Sequence, residues 1–163
     1  MKSRNIVGAA TIALFQLACA RPALAQSGFS GYVVGGFGST SDVDSGLNRY
    51  AGGGAEIVSR LGLGAGVDAG VFVDHSGVVL MLLSVDGVLQ LRRASEGAIP
   101  FLAAGFTGAT TPEPSFTAWN VGAGITFVRG PRTAWRVEFR DHVRSERWGT
   151  SHYWVLRAGI AFR

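Results

Sequence analysis

Apolar and polar side chains alternate with a period of two through most of the chain beyond residue 26. This is the pattern of β-strands that have one apolar and one polar face. Turn-forming residues interrupt the alternation at intervals, and no later segment has the ~18 consecutive apolar residues of a membrane helix. We predict eight strands, each about ten residues or longer. They lie at approximately 28–38, 49–59, 62–74, 78–91, 99–109, 116–128, 133–144 and 152–162.

The connections between the predicted strands alternate in length. Three of them, at 59–61, 92–98 and 129–132, have the composition of turns. The other four connections, at 39–48, 75–77, 110–115 and 145–151, are mostly longer and more polar. Short turns that alternate with longer loops, together with an even number of strands, are typical of antiparallel barrels that span an outer membrane. Both ends of such a barrel chain lie on the side of the short turns.

The size of the side chains on each face predicts which face points inward. In the last strand Trp154, Ile160 and Phe162 share one face, whereas Arg157 and Gly159 share the other. Eight strands enclose an interior just wide enough for side chains, so bulky apolar faces from every strand would overfill it. We therefore expect glycine and charged residues inside, and the apolar faces outside against lipid. A soluble, lipocalin-like binder is the alternative, and it needs the apolar faces inside.

Aromatic residues collect near both ends of the predicted strands. Two such belts, separated by small and aliphatic residues, match the aromatic girdles at the two interfaces of a bilayer. Near the short turns the predicted belt holds Phe127, Trp135 and Phe162, and near the loops it holds Trp119, Trp148, Tyr153 and Trp154.

Residues 1–25 have the pattern of a secretory signal peptide. Lys2 and Arg4 precede an apolar stretch, and Ala23–Ala25 form an A-x-A cleavage site. We therefore expect a signal peptide over 1–25 and one barrel domain over 26–163.

Other fates of this segment stay open. Cleavage after Ala20 and retention as an uncleaved anchor helix are two of them. Lipidation at Cys19 is a third, although Gln16 stands where a lipoprotein signal has an aliphatic residue.

Composition agrees with an exported membrane barrel. Charged residues make up 16% of the chain, which is low for a soluble domain, and glycine is abundant with 24 residues. Removal of residues 1–25 leaves 12 arginines against 11 acidic residues, a net charge of +1. No basic stripe with interleaved aromatics is present, so we expect no nucleic-acid partner. The only cysteine leaves with the signal, which excludes disulfides and cysteine chemistry from the barrel domain.

Three segments carry a resemblance to a known family: 31–38, 136–141 and the closing strand 156–162. On these the chain from residue 26 onward resembles the small outer-membrane β-barrel proteins of Gram-negative bacteria, of the OmpA transmembrane-domain kind. The resemblance implies an eight-stranded antiparallel, up-and-down transmembrane β-barrel. Outer-membrane lipid and the barrel-assembly machinery are its implied partners. The family usually ends on an aromatic residue, whereas Arg163 follows Phe162 here.

The closing strand is similar to the assembly signal of that family, which has apolar residues at alternate positions and ends in an aromatic residue. The residues that match this signal are Trp154, Leu156, Ile160 and Phe162.

Seven charged residues fall on the predicted inner faces. They are Glu56, Asp68, Asp86, Arg136, Glu138, Arg140 and Arg157. Buried charges are costly unless they are paired and hydrogen-bonded, and here both signs occur in similar numbers. We predict a salt-bridge network that plugs the lumen. A narrow, gated ion path is the alternative.

Other candidate chemistry is weaker. His142 shares the inner face with Glu138 but lies ~13 Å from it along the strand, too far for a direct pair. Ser151 and His152 are adjacent and so point to opposite faces, which argues against the serine–histidine pair of a lipid-modifying barrel enzyme. The segment 41–46 has some of the residues of a calcium loop but lacks a third early ligand and the closing glutamate. We expect no enzyme, no cofactor and no metal site.

The sequence thus favours a structural or adhesive outer-membrane barrel whose exposed loops form its interaction surface, with ligands that the sequence does not identify. Small-molecule transport of the OmpW kind is an alternative, and its only hint is three apolar residues, Leu80, Leu82 and Val88, on the inner face. A lipid-modifying barrel enzyme is the other, and it needs a serine, a histidine and a carboxylate that converge on one outer edge.

Overall fold

The structure is a computed structural model that describes residues 28–41, 46–73, 77, 79–91, 97–110, 115–146 and 149–163. The predicted signal peptide and most of the segment 41–46 lie outside these residues. The described residues form eight strands. They are β1 (Gly28–Thr40), β2 (Asn48–Val58), β3 (Leu63–Val73), β4 (Val79–Gln90), β5 (Ala98–Thr110), β6 (Phe116–Val128), β7 (Thr133–Glu146) and β8 (Gly149–Phe162).

The strands close into a barrel in which each strand pairs antiparallel with the next along the chain. Closure comes from β1 and β8, whose register runs from Gly31 opposite Phe162 to Thr40 opposite Tyr153. Closure leaves no sheet edge with unpaired backbone groups. Within the described part of the chain, no helix is long and apolar enough to cross a membrane. The structure confirms the predicted closed, eight-stranded antiparallel fold.

The two ends of the barrel differ. We call the end with the β2–β3, β4–β5 and β6–β7 connections and the chain terminus the turn end, and the opposite end the loop end. At the turn end β2 passes into β3 through a tight turn closed by hydrogen bonds from Gly62 N–H to Ser59 O (3.0 Å) and from Ser59 N–H to Leu63 O (2.8 Å). Gly62 has a φ of 84°, which favours glycine because it has no Cβ. Such a turn suits the twist of a two-stranded hairpin.

Burial alternates along every strand and shows which face is which. In β7, Arg136 and Glu138 are 2% and 1% exposed, whereas their neighbours Trp135 and Phe139 are 52% and 48% exposed. The outward residues around the barrel are mainly apolar, and the inward ones are glycine, polar or charged near mid-height. The apolar faces therefore point outward. A lipocalin-like binder needs them inside, so this orientation excludes that alternative.

The belt of aromatics predicted at the loop end needs one correction. Tyr153 faces the interior, where its ring stacks on Phe116 with 5.6 Å between the centroids. Its neighbour Trp154 faces outward and stacks on Phe139. Adjacent aromatic residues in a strand point to opposite faces, so only one of the two can belong to an outer belt. Trp148 lies outside the described residues.

Candidate functional site

The interior of the barrel holds a cluster of paired charges, which we call the charge network. All seven predicted inner residues lie in it, each no more than 5% exposed. The structure brings together carboxylates from β2, β3, β4 and β7 with guanidinium groups from β7 and β8. The members are Glu56, Asp68, Asp86, Arg136, Glu138, Arg140 and Arg157.

Glu138 lies at the centre of the charge network and contacts its three arginines. Its Oε1 accepts from Arg140 Nη2 at 2.7 Å and Nε at 2.9 Å. Its Oε2 accepts from Arg136 Nε at 3.1 Å and from Arg157 Nη2 at 3.0 Å. Arg136, Glu138 and Arg140 share one face because they lie at every second position of β7. The strand itself therefore places one cation on each side of the carboxylate.

Two further carboxylates hold the outer ends of these arginines. Glu56 Oε2 accepts from Arg136 Nη1 at 2.9 Å, and Asp86 Oδ2 accepts from Arg140 Nη1 at 2.6 Å. Arg136 and Glu56 are 80 residues apart in the chain, so only the closed barrel brings them together. Arg136 and Arg140 therefore each bridge Glu138 and a carboxylate from another part of the wall.

Asp68 pairs with Arg157 and with two tyrosines. Arg157 Nη1 lies 2.8 Å and 2.9 Å from its two oxygens, while Tyr32 and Tyr50 donate to it at 2.9 Å and 3.1 Å. The tyrosine rings lie over glycines of the inner wall. A Cβ on Gly70 would stand 2.6 Å from Tyr50 Cε2, so glycine there makes room for the ring that supports Asp68.

The charges of the network do not balance among the described residues. Its four carboxylates face three guanidinium groups, a formal excess of one negative charge. Neutral donors reduce the cost of that excess, since a buried anion is stabilised by each hydrogen bond it accepts. Besides the two tyrosines, these donors are Ser30 and Gln90 on Glu56 and Asn120 on Asp86.

Aromatic rings also contact the arginines. The guanidinium carbon of Arg136 lies 4.3 Å from the centre of the Tyr32 ring and 3.9 Å from that of Phe101. Such cation–π contacts are worth about 2 kcal/mol or more when they are desolvated. The cation is thus held by two carboxylates and two ring faces.

A layer of neutral polar residues lies next to the network on its loop side. Thr107 is its centre and lies 2.9 Å from Ser84 Oγ, 3.0 Å from Asn120 Nδ2 and 2.9 Å from His142 Nδ1. His142 therefore hydrogen-bonds to Thr107 within this layer. The sequence alone did not predict a role for Ser84, Thr107 or Asn120. Their inward position in the alternation was the available signal, but serine, threonine and asparagine are common on either face of a strand.

Apolar residues fill the lumen on both sides of the polar layers. Toward the loop end the described lining is Tyr50, Phe72, Leu80, Leu82 and Val155, and toward the turn end it is Val58, Val88, Ile99 and Phe101. The three inner apolar residues that hinted at transport, Leu80, Leu82 and Val88, are 5–8% exposed. They belong to this filling.

On the outer face near the loop end, a histidine and a carboxylate lie within hydrogen-bond distance of each other. His152 Nδ1 lies 2.8 Å from Asp141 Oδ2, and both side chains are partly exposed. Ser151 points to the opposite face and is buried. Ser41 Oγ accepts from the backbone N–H of His152 at 2.9 Å. A histidine and a carboxylate thus meet on the outer edge, but Ser151 does not join them.

The residues matched to the assembly signal share the outer face of β8. Leu156, Ile160 and Phe162 are 40%, 39% and 50% exposed, and Trp154 is half-buried against Phe139.

Within the described chain, no group of three or more histidine, cysteine or acidic side chains has a metal-binding arrangement.

Comparison with known proteins identifies the fold. No family model matches the chain, and neither does any curated protein sequence. Among solved structures, Neisserial surface protein A has a TM-score of 0.67 at 13% identity, over 82% of this chain and 96% of its own. The N-terminal β-barrel domain of Pseudomonas aeruginosa OprF has a TM-score of 0.65 at 16% identity, over 84% and 98%. A de novo designed transmembrane β-barrel has a TM-score of 0.59 at 23% identity, over 84% of this chain and 94% of its own. The chain therefore has the fold of small, eight-stranded transmembrane β-barrels.

Proposed function

We propose that this chain is an exported outer-membrane protein, a sealed structural barrel that displays its loop-end connections as an interaction surface. The observation that carries the proposal is the combination of a lipid-compatible outside with a closed inside. Exposed apolar side chains surround a barrel whose backbone pairing is complete, which is the arrangement that a bilayer requires.

The burial of side chains in the lumen favours a sealed barrel rather than an open pore. Glu138, Arg140, Asn120 and Thr107 are each 1% exposed, so water does not reach the middle of the lumen. An ion crossing this layer would have to break charge-assisted hydrogen bonds in a site of low dielectric constant. The charge network thus serves as a plug. Other molecules would therefore bind at the connections of the loop end rather than in the lumen.

Location and closure are tested first by fractionation and gel mobility. We expect the protein in the outer-membrane fraction, with a band that shifts on boiling because a closed barrel resists detergent until it is heated. Recovery from the soluble periplasm without a shift would refute the proposal.

The plug is tested separately by conductance across a planar bilayer. We expect no stepwise conductance from the wild-type protein. The variant E138Q should increase the frequency of openings, since it weakens the centre of the charge network. A steady wild-type conductance would contradict the plug while leaving the membrane location intact.

A further inference from the structure

Three polar residues meet on the outer face at the loop end, and we call them the outer cluster. They are Ser41, which follows β1 directly, Asp141 on β7 and His152 on β8. His152 Nδ1 lies 2.8 Å from Asp141 Oδ2, and the backbone N–H of His152 donates to Ser41 Oγ at 2.9 Å. Ser41 and His152 are 111 residues apart in the chain, so only the pairing of the first strand with the last brings them together.

The register puts the side chains of Ser41 and His152 next to each other on the outward face. Ser39 is paired with the outward Trp154, and two residues further toward the loop end Ser41 N–H donates to His152 O at 3.0 Å. A step of two residues keeps the face. Residues directly opposite each other in an antiparallel pair have Cβ atoms ~4.5–5.5 Å apart. The serine hydroxyl therefore lies within reach of the histidine side chain.

Asp141 orients the imidazole of His152. A carboxylate oxygen only accepts hydrogen bonds, so Nδ1 carries the proton of the neutral ring and Nε2 keeps its lone pair. The side chain of His152 is 46% exposed, whereas that of Asp141 is 22% exposed. Ser41 is exposed as well. The carboxylate is thus the more shielded member, and the hydroxyl and the imidazole are open to a molecule at the outer surface.

The outer cluster lies at the depth of an outward tryptophan. Asp141 is directly opposite Trp154, and His152 is two residues from Trp154 on the same face, ~7 Å along the strand. Strand tilt shortens this to roughly 5 Å along the bilayer normal. Outward tryptophans mark the boundary between hydrocarbon and headgroups, which is where the acyl ester bonds of membrane lipids lie.

From this geometry we infer that the outer cluster hydrolyses acyl esters of lipids in the leaflet at the loop end. The inference rests on the proposed membrane location and adds an activity to the structural role. Ser41 is the nucleophile, His152 is the general base, and Asp141 holds the imidazole in the tautomer that accepts the proton. When Ser41 Oγ turns to the substrate, the backbone N–H of His152 is released beside it and can donate to the developing oxyanion.

The reaction has two halves and consumes one water molecule. In the first half, Ser41 Oγ bonds to the acyl carbon and its proton passes to His152 Nε2. The ester C–O bond then breaks, the leaving alcohol takes that proton, and the acyl group stays on Ser41. In the second half, water gives a proton to His152 and its oxygen bonds to the acyl carbon, after which Ser41 leaves and regains the proton. The products are a fatty acid and a lipid with a free hydroxyl group.

The test measures release of fatty acid by the full chain refolded into vesicles. One arm uses phosphatidylethanolamine with phosphatidylglycerol, and the other adds lipopolysaccharide to the same lipids. Release in the first arm would identify phospholipid as the source of the ester, and release in the second arm alone would identify lipopolysaccharide. In parallel, a fluorophosphonate probe that phosphonylates activated serines with loss of fluoride is added. Mass spectrometry locates the labelled residue, and we expect Ser41.

Three variants separate catalysis from structure. S41A should abolish both release and labelling. D141N keeps the shape of the side chain but not its charge, so it should lower kcat by about 10²–10⁴-fold with little change in KM. S151A is the matched control, because Ser151 is adjacent to His152 in the chain but is buried on the opposite face. It should leave release and labelling unchanged.

A heat-shift gel shows whether each protein has folded. Folded wild-type protein that releases fatty acid in neither arm, or that leaves Ser41 unlabelled, would overturn the inference alone. Undiminished release by S41A would do the same, and an unchanged kcat in D141N would reduce the pair of Asp141 and His152 to a contact between strands. Absence of the heat shift in the wild type would instead refute the proposed membrane barrel, on which the inference rests.

Discussion

Replacement of Glu138 by glutamine distinguishes local pairing from overall charge in the barrel interior. The charge network has one carboxylate more than it has guanidinium groups, so the variant E138Q makes its formal charge zero. If net charge governed stability, neutralisation would help. If hydrogen-bonded pairing governs it, the loss of the central carboxylate should be costly.

The contacts of Glu138 give the size of that cost. Its two oxygens accept four guanidinium donors, two on each oxygen. An amide has one oxygen, so two of these donors would face an NH₂ group. Two charge-assisted hydrogen bonds at about 1.5–3 kcal/mol each amount to about 3–6 kcal/mol. This agrees with the ~3–5 kcal/mol expected when a buried ion pair is broken.

Glu56 supplies the matched control, because E56Q changes the net charge by the same amount. Its Oε2 accepts from Arg136, whereas its Oε1 accepts from the hydroxyl of Ser30 and, at 3.5 Å, from Nε2 of Gln90, whose amide can turn to present its oxygen instead. A glutamine at position 56 can turn its oxygen to the arginine and donate from its NH₂ group to the Ser30 hydroxyl, because a hydroxyl accepts hydrogen bonds as well as donating them. The expected loss is therefore only about 0.5–2 kcal/mol.

Urea unfolding in phosphatidylcholine vesicles, followed by tryptophan fluorescence, gives the free energy of unfolding of both variants. We expect E138Q to lower the urea midpoint well beyond E56Q, with similar slopes. An E138Q that is as stable as E56Q, or more stable than the wild type, would refute the reasoning from local pairing.

Three other substitutions test the walls of the barrel. V121R, at mid-strand on the outer face, should cost ~2–4 kcal/mol in the same unfolding assay, and an unchanged stability would mean that this face does not contact lipid. F162S should lower the yield of heat-shifting protein in the membrane fraction, and a normal yield would remove the assembly-signal prediction. G70A should destabilise the barrel by about 1–3 kcal/mol because its methyl group would displace the Tyr50 ring. G87A, where the nearest atom lies 3.7 Å away on the outer face, should have little effect, and equal losses in both would exclude this explanation.

The sequence predicted the fold and the faces because both depend on short-range alternation. Each residue's face follows from its place in its own strand, so Arg136, Glu138 and Arg140 could be assigned to the interior without knowledge of their partners. Strand ends do not follow from alternation alone, and β8 begins at Gly149, three residues before the predicted start. Pairing across the barrel could not be predicted, because it depends on register and tilt summed over several strands.

The neutral polar layer shows a second limit of the sequence. Thr107 connects Ser84, Asn120 and His142, and these residues come from four strands. Each of them is unremarkable in its own segment, since a threonine or an asparagine suits either face. Their meaning arises only where the four strands meet. A charged residue on an inner face predicts a partner, because burying an unpaired charge is costly. A hydroxyl group on the same face does not predict one.

The pairing of the first strand with the last has a consequence for the order in which the barrel is completed. β8 is the last of the eight strands along the chain, so it is synthesised after the other seven. It supplies the hydrogen-bond partner for the open edge of β1 and also Arg157, the cation nearest to Asp68. Before β8 arrives, a sheet in the bilayer would have both an unpaired edge and an unneutralised carboxylate. A truncated chain would lack both the edge partner of β1 and the cation that pairs with Asp68, so closure of the barrel and pairing of Asp68 occur in the same step.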